Sequence, residues 1–243
     1  MATVNIFHTG DMHNRLTPQK AQRLRELKGS AENTLLLDAG DAIWAGNIFY
    51  RPGGEPILKL MNLAGYDAMA MGNREFHFSR QGFRAKVGLA EFPVLCANAH
   101  ASNGETLPVV PHAIFERGGI RVAVFGLCVP MITERTIGKR FSIYRFADPV
   151  ETAAELVPKL RQEAELVIAL THIGIDHDRR LAERVDGIDL IVGGHSHTEL
   201  MEPGSTPIVH SGWAARTVGK AVLAIPGGLE SWEPLDLAAD ERR

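Results

Sequence analysis

Five short segments of the chain carry acidic, amide and imidazole side chains of the kinds that bind metal ions. They are Asp11–His13, Asp38–Asp41, Gly72–Glu75, Thr171–His172 and Gly193–His197. Carboxylates and imidazoles without thiolates suit Zn²⁺, Mn²⁺, Fe and related ions, and they argue against an iron–sulfur cluster. The residue types therefore predict metal chemistry at one or more of these segments.

The spacing inside two segments allows pairs of side chains to meet. Alternate residues of an extended segment point the same way, so Asp11 with His13 and His195 with His197 can each approach one centre. Each motif alone has an ordinary explanation, as a plain turn, a solvated aspartate or exposed loop histidines. Their joint occurrence favours a shared centre. The candidates outnumber the protein ligands that one metal usually takes, and they suit two metals that share a bridge.

The polar segments follow short apolar runs that are predicted to form strands. These runs are Val4–Phe7, Thr34–Leu37, Ala68–Ala70, Pro93–Ala97, Arg121–Leu127, Leu166–Leu170, Ile188–Val192 and Pro207–Val209. The predicted helices between them are Gln19–Lys28, Glu55–Ala64, Pro149–Glu163 and Arg179–Val185. This alternation predicts an α/β layered fold. Open α/β sheets collect their ligands at the carboxyl ends of the strands, which is where the polar segments fall.

The remaining pattern indicates one domain over residues 1–243. Val109–Glu116 and Ile120–Leu127 are predicted to form a hairpin, and Lys220–Ile225 is predicted as the last strand. The charged end of the chain, 236–243, is predicted to lack regular structure. We find no linker, repeat or low-complexity tract that would divide the chain.

Composition and charge exclude several classes of protein. Apolar residues make up 45% and charged residues 23% of the 243 residues, which excludes disorder, a collagen-like repeat and a coiled coil. The 26 Lys and Arg against 29 Asp and Glu give a formal charge of −3, so a nucleic acid polymer is not an expected partner. No apolar stretch approaches the roughly 20 residues of a membrane span. The N-terminus has no signal-peptide pattern, so a cytoplasmic location is expected.

The order and the residues of the polar segments resemble those of the calcineurin-like metallophosphoesterases. They resemble more closely the catalytic domain of the 5′-nucleotidase/cyclic-nucleotide phosphodiesterase branch of that family. The matching segments are Phe7–His13, Leu37–Asp41, Gly72–Phe76, Thr171–Gly174 and Gly193–Thr198. The resemblance extends over nearly the whole chain. It implies an α/β fold in four layers, an α/β/β/α sandwich of two mixed β-sheets flanked by helices.

The resemblance also implies two divalent metal ions, such as Mn, Zn or Fe, and a ligand set for each. The sets are Asp11, His13, Asp41 and His197 for one ion and Asp41, Asn73, His172 and His195 for the other. Asp41 is then the bridging carboxylate. With a bridging hydroxide the centre carries a charge of about +1, which attracts a phosphate anion. The implied activity is hydrolysis of a small phosphate ester, such as a nucleotide, by attack of that hydroxide.

Two residues depart from the family motif Gly-Asn-His-Glu-Phe-Asp. Arg74 stands where the family has an assisting His, and His77 stands where it has the Asp that orients that His. Arg74 is always protonated near neutral pH, so it can neutralise phosphoryl charge but cannot act as a general acid. Either Arg74 binds phosphate while His77 assists the leaving group, or His77 is an ordinary loop residue. The departure also leaves open a non-catalytic metal and phosphate binder, and an enzyme acting on another anionic ester.

Base recognition is not implied, because we expect no counterpart here of the C-terminal nucleotide-binding domain of two-domain 5′-nucleotidases. Aromatic residues near the predicted site loops could stack on a substrate or simply pack. They are Trp44, Phe49, Tyr50 and Trp213. His177 and Asp178 are expected to serve the start of a helix, and His210 lies near a strand end from which it could approach the metals.

Overall fold

The computed structural model describes residues 2–133 and 135–237. The strands are β1 Ala2–Thr9, β2 Thr34–Asp38, β3 Ala68–Ala70, β4 Val94–Leu95, β5 Ala99–Ala101, β6 His112–Arg117, β7 Ile120–Cys128, β8 Tyr144–Phe146, β9 Leu166–His172, β10 Leu190–Gly193, β11 Glu199–Glu202, β12 Ile208–Ser211, β13 Thr217–Ile225 and β14 Gly228–Asp236. The helices are α1 Pro18–Gly29, α2 Pro56–Ala64, α3 Arg80–Val87, α4 Pro149–Leu160 and α5 Ile175–Arg184, with a 3₁₀ helix at Ile137–Arg140. Among these residues, no helix has the length and apolar character needed to cross a lipid bilayer.

Two six-stranded mixed sheets form the centre of the molecule. The first has the order β14-β13-β1-β2-β3-β4, in which β1 to β4 are parallel. The second has the order β11-β12-β10-β9-β7-β6, in which β12, β10, β9 and β7 are parallel. The remaining pair, β5 with β8, forms a small separate ribbon. The carboxyl ends of both parallel groups supply the polar segments.

Alternation along the strands divides the apolar core into three layers. On β7, Val122 and Val124 pack in the layer between the two sheets. Ala123 and Phe125, on the opposite face, pack in the layer beneath α4 and α5. On β1, Phe7 packs in the layer that the first sheet shares with α1, α2 and α3. The layers are therefore helix, sheet, sheet and helix, which confirms the predicted sandwich.

Some elements differ from the prediction. The helix predicted to end at Glu163 ends at Leu160, and only Val94–Leu95 of the predicted strand at 93–97 is a strand. β14 was not predicted because most of its residues are exposed or half-buried and it shows no apolar alternation. It extends through Asp236, so the prediction of an irregular end is wrong at that residue. Residues 238–243 lie outside the described residues.

Candidate metal centre

The candidate ligands lie where strands of both sheets end. β1, β2 and β3 of the first sheet and β9 and β10 of the second each lead into one of the five polar segments. Hydrogen bonds connect the sheets there, and two of them involve the backbone. The ring Nδ1 of His172 lies 2.8 Å from the carbonyl O of Ala39. The backbone N–H of His195 donates to Asp11 Oδ2 at 2.8 Å. The two sheets therefore present their polar ends to one shared region.

The first group of side chains surrounds the carboxylate of Asp11. His197 Nε2 lies 3.5 Å from Asp11 Oδ1, and His13 Nε2 lies 3.9 Å from the same oxygen. His13 Nε2 is also 3.6 Å from Asp41 Oδ2. The side chain of His197 is 42% exposed, whereas Asp11, His13 and Asp41 are buried. The group therefore has one open side.

The second group surrounds the imidazole of His172. Its Nε2 lies 3.4 Å from Asp41 Oδ1, 3.3 Å from Asn73 Oδ1 and 3.2 Å from His195 Nδ1. Asn73 Oδ1 is also 3.1 Å from His195 Nδ1. Because the other ring nitrogen of His172 contacts the carbonyl of Ala39, Nε2 is the nitrogen that faces the group.

The backbone adopts rarely populated conformations at the ligand positions. Positive φ angles between 48° and 77° occur at Asp11, His13, Asn14, Asp41, His195 and His197. Such angles are uncommon for residues other than glycine, and they cluster at functional sites, where the surrounding structure holds them. Gly72 is needed for close approach, since a Cβ there would lie 2.3 Å from Asp41 Oδ1.

Glu75 holds the two loops that carry Asp41 and Asn73. Its carboxylate is fully buried and accepts hydrogen bonds from the backbone N–H groups of Gly72 at 2.8 Å, Asp41 at 2.9 Å and Ile43 at 3.2 Å. Burial and the charge of Asp41 raise the pKa of Glu75. The family motif contains this residue, but its role cannot be predicted from the motif.

The charges of the metal-free group are strongly coupled. Burial disfavours a charged His172, but the carboxylates of Asp41 and Asp11 outweigh burial and raise its pKa to about 9. Burial also disfavours a charged Asp41, but His172 and His13 hold its pKa well below the usual value. Burial and the charge of Asp41 raise the pKa of Asp11. Buried carboxylates thus need nearby positive charge, which divalent ions would supply.

The donor atoms fit divalent metal ions. Asp11 Oδ1 and His13 Nε2 are buried and have no hydrogen-bond partner among the described residues. Donor atoms within 4.8 Å of one another come from Asp11 with His13 and His197, and from Asp11 with Asp41 and His172. Carboxylate, imidazole and amide donors are the ligands expected for such ions. Asp11 is the member common to both groups, and the bridging role of Asp41 stays a prediction.

Arg74 lies directly against the candidate ligands. Its backbone N–H donates to Asp41 Oδ1 at 2.8 Å, and its Nε donates to Asp41 Oδ2 at 3.2 Å. Its guanidinium lies over the ring of Trp44, 4.9 Å from the centroid, and bonds the carbonyl O of Trp44. The guanidinium is therefore next to the acid that the resemblance places between the two ions.

His77 is held by the start of α3. Its Nδ1 accepts a hydrogen bond from the backbone N–H of Ser79 at 3.0 Å, and the hydroxyl of Ser79 lies equally close. Its ring meets Tyr50 edge to face, with centroids 5.0 Å apart. Its Nε2 is buried without a hydrogen-bond partner in the described part of the chain. The structure gives His77 these local contacts and no hydrogen bond to a described candidate ligand, so its role stays a prediction.

Comparison with known proteins decides the family. The family model described as calcineurin-like phosphoesterase matches residues 4–199, which include every candidate ligand. The chain belongs to the calcineurin-like phosphoesterase family. Relatives of this chain include the trifunctional nucleotide phosphoesterase YfkN of Bacillus subtilis, 33% identical over 80% of this chain and 16% of that protein. A snake venom 5′-nucleotidase of Gloydius brevicauda is 33% identical over 84% of this chain and 38% of that protein.

Solved structures show the same fold. A 5′-nucleotidase precursor from Thermus thermophilus matches with a TM-score of 0.81 and 26% identity, over 96% of this chain and 54% of that one. The YfkN phosphoesterase structure from Bacillus subtilis matches with a TM-score of 0.77 and 23% identity. The chain spans less than half the length of the curated relatives compared above.

Two tryptophans of the chain contact candidate ligands. Trp213 stacks on the ring of His197, with centroids 5.4 Å apart and planes 8° apart. Trp44 meets His13 edge to face at 5.8 Å and remains 56% exposed. Phe49 is also largely exposed, whereas Tyr50 packs on His77. Of the predicted aromatic candidates, Trp44 and Trp213 are the ones that touch the centre.

A buried polar network supports the second sheet behind the centre. His210 Nε2 lies 2.8 Å from Asp178 Oδ2, and Thr171 donates to Asp178 Oδ1 at 2.6 Å. The other ring nitrogen of His210 lies 3.4 Å from the hydroxyl of Thr198. The expectation that His210 could approach the metals is therefore wrong. Asp178 lies in the first turn of α5, at the helix start as expected, and its carboxylate serves this buried network.

Proposed function

We propose that this chain hydrolyses a small phosphate ester, with a nucleotide as the favoured substrate class, at a centre of two divalent ions. The relatives named as nucleotide phosphoesterases and 5′-nucleotidases support this substrate class. The observation that carries the proposal is that Asp11, His13, Asp41 and His172 lie together, and that Asp11 Oδ1 and His13 Nε2 are buried there without a hydrogen-bond partner among the described residues. We propose that residues 1–243 form one catalytic domain, and a cytoplasmic location stays a prediction.

In this proposal each ion has four protein ligands. Asp11, His13, Asp41 and His197 hold one ion, and Asp41, Asn73, His172 and His195 hold the other. When bound, such an ion pair offsets charge on phosphoryl oxygens and makes a water more acidic for attack on phosphorus. The contact of His172 Nδ1 with Ala39 keeps that imidazole turned toward the centre, and the backbone N–H of His195 holds its loop against Asp11.

Arg74 binds the phosphoryl group in this proposal. Its guanidinium lies beside Asp41 and is 26% exposed, so it is open to a ligand. A planar guanidinium donates paired hydrogen bonds to phosphate oxygens and keeps its charge throughout the reaction. It therefore stabilises negative charge that grows on those oxygens without transferring a proton.

His77 assists the leaving group in this proposal. Because the backbone N–H of Ser79 donates to Nδ1, the proton of the neutral ring is on Nε2, which has no partner in the described chain. A His77→Ala variant tests this role on 4-nitrophenyl phosphate and phenyl phosphate. We expect a larger loss of kcat with phenyl phosphate, whose leaving group needs the proton more. Equal losses on both esters would leave His77 as a loop residue.

The hydrolase proposal is tested with Mn²⁺-loaded protein on 4-nitrophenyl phosphate, bis(4-nitrophenyl) phosphate and a nucleotide panel. We expect metal-dependent turnover that is lost in Asp41→Asn. The panel also separates monoesterase from diesterase activity.

A second candidate is a non-catalytic protein that binds metal and phosphate. The position of Arg74, bonded to Asp41 where the family has its assisting His, favours it. Tight Mn²⁺ uptake without turnover of any ester in the panel would support this candidate over the hydrolase.

A further inference from the structure

A fully buried lysine on α3 binds the loops that carry Trp44 and Arg74. Lys86 is in the last turn of α3 and has no solvent exposure. Its ammonium donates to the carbonyl oxygens of Ala45 at 3.1 Å and Gly46 at 2.9 Å, and also to that of Arg74. Each of the three N–H donors of the ammonium therefore bonds a backbone carbonyl. These carbonyls belong to two loops that are 28 or more positions apart in the sequence.

Lys86 complements Glu75 in both charge and target. Glu75 accepts from backbone N–H groups of the same two loops, whereas Lys86 donates to their carbonyls. Loop segments lack the regular partners of a sheet or helix, so their polar groups that are shielded from water need other partners, such as side chains. A buried ammonium is itself costly unless it is fully hydrogen-bonded. Glu75 and Lys86 therefore satisfy backbone polar groups of the two loops, and those groups supply the hydrogen bonds that the two buried side chains need.

Arg74 connects Lys86 to the candidate metal centre. The backbone of Arg74 is held on one side by its N–H bond to Asp41 and on the other by its carbonyl bond to Lys86. The guanidinium of Arg74 then bonds the carbonyl of Trp44, the residue just before Ala45. Lys86 thus fixes both ends of the contact between Arg74 and the Trp44 ring.

We propose that Lys86 is a positioning residue that sets the Arg74 guanidinium and the Trp44 ring against the metal centre. It touches neither substrate nor ion and acts through two backbone segments. The consequence for phosphate binding rests on the function proposed above for Arg74. The consequence for the Trp44 segment does not, because it follows from the hydrogen bonds alone.

The test compares Lys86→Met and Lys86→Arg with wild type, and Lys28→Met is the matched control. Lys28 also donates to a backbone carbonyl, that of Gly65, but it does so at the C-terminal end of α1, away from these loops. One readout is acrylamide quenching of Trp44 fluorescence in a Trp213→Phe, Trp232→Phe background, and it needs no ligand. The other is the affinity of the Mn²⁺-loaded protein for inorganic phosphate, together with kcat and KM on 4-nitrophenyl phosphate.

In folded Lys86→Met we expect quenching of Trp44 to rise toward that of the urea-unfolded chain. We also expect phosphate affinity and kcat to fall about tenfold to a hundredfold, as small misplacements of a binding group do. Adding Arg74→Ala to Lys86→Met should cause little further loss of phosphate affinity and kcat, because both changes remove the same contribution of the Arg74 guanidinium. Lys86→Arg keeps the charge but not the three-carbonyl geometry, so it should change both readouts in the same direction. Lys28→Met should lower thermal stability and leave both readouts unchanged.

Unchanged quenching and phosphate affinity in a folded Lys86→Met would overturn the proposal, and so would additive losses with Arg74→Ala. If Lys86→Met does not fold, wild-type values in Lys86→Arg would overturn it. Failure of the hydrolase proposal would look different, since the wild type would then turn over none of the esters while quenching still responded to Lys86.

Discussion

Acidic side chains lie at both ends of the parallel strands, and their partners differ between the two ends. At the ends where strands begin, here called the amino edge, Asp67, Glu165 and Asp189 directly precede β3, β9 and β10. Each accepts a hydrogen bond from a backbone N–H of a neighbouring strand and pairs with a lysine or an arginine. At the opposite ends, here called the carboxyl edge, Asp11 and Asp41 lie among imidazoles.

The difference lies in how fully the carboxylates are satisfied. Asp67 accepts from Leu36 N at 2.7 Å and pairs with Lys28 at 2.8 Å and Arg117 at 2.7 Å, so both oxygens are bonded. Asp11 keeps a buried oxygen without a hydrogen-bond partner in the described chain. Residue type alone does not separate the two cases. A carboxylate whose two oxygens both have hydrogen-bond partners joins strands. A buried carboxylate with an oxygen that lacks a partner is suited to bind a ligand.

The largest effect is expected for Asp11→Asn at the carboxyl edge. Loss of a ligand should lower Mn²⁺ affinity and activity more than about a hundredfold, which is the upper range for residues that merely support ligands. The metal-free variant should unfold at a temperature no lower than wild type, because burial and Asp41 raise the pKa of Asp11 and make its charge unfavourable. Metal titration calorimetry and thermal unfolding measure the two parts. A large loss of metal-free stability would make Asp11 a structural acid like Asp67.

The next effect is expected for Arg74→Met, which tests the guanidinium that bonds Asp41. We expect kcat/KM on 4-nitrophenyl phosphate to fall about a hundredfold, as for loss of a group that stabilises developing charge. Chemical denaturation should show a loss of stability below about 1 kcal/mol, because the pair is partly exposed. A variant with normal kinetics and lowered stability would place Arg74 with the structural cations of the amino edge.

The amino edge should respond in the opposite way. Asp67→Ala removes the partner of Lys28 and Arg117 and an acceptor for Leu36 N, and we expect it to lower the free energy of unfolding by about 2–3 kcal/mol. Activity and Mn²⁺ affinity per folded molecule should not change. Urea denaturation and assays at low temperature measure these quantities. Reduced metal affinity in fully folded Asp67→Ala would show that the two edges are coupled.

The smallest effect concerns His8, a buried histidine between the sheets. Its Nε2 accepts from Trp232 at 3.0 Å, and burial together with His210 lowers its pKa to about 3. The unfolded chain therefore binds a proton that the folded chain does not as the pH falls below 6.5 toward 3. Stability should fall in that window by up to about 1.4 kcal/mol per pH unit. Metal-free His8→Gln should show a shallower decline in urea denaturation at pH 7, 6 and 5, and an unchanged slope would refute this cause.

The sequence predicted the candidate ligands better than the residues that position or support them. Asp11, Asp41 and His172 could be placed together because strand ends of a layered α/β fold converge. The role of Lys86 could not be predicted, because it depends on how α3 packs on two loops and on carbonyls that any residue carries. The pairing of His210 with Asp178 also joins segments distant in sequence, and no local sequence pattern predicts it.

The most direct test is a crystal structure of the Mn²⁺-loaded protein with anomalous data collected above the manganese edge. The account predicts two anomalous peaks about 3.5–4 Å apart. One peak should lie among Asp11, His13 and His197 and the other among Asn73, His172 and His195, with an oxygen of Asp41 bound to each. A single peak, or two peaks of which Asp41 contacts at most one, would contradict it.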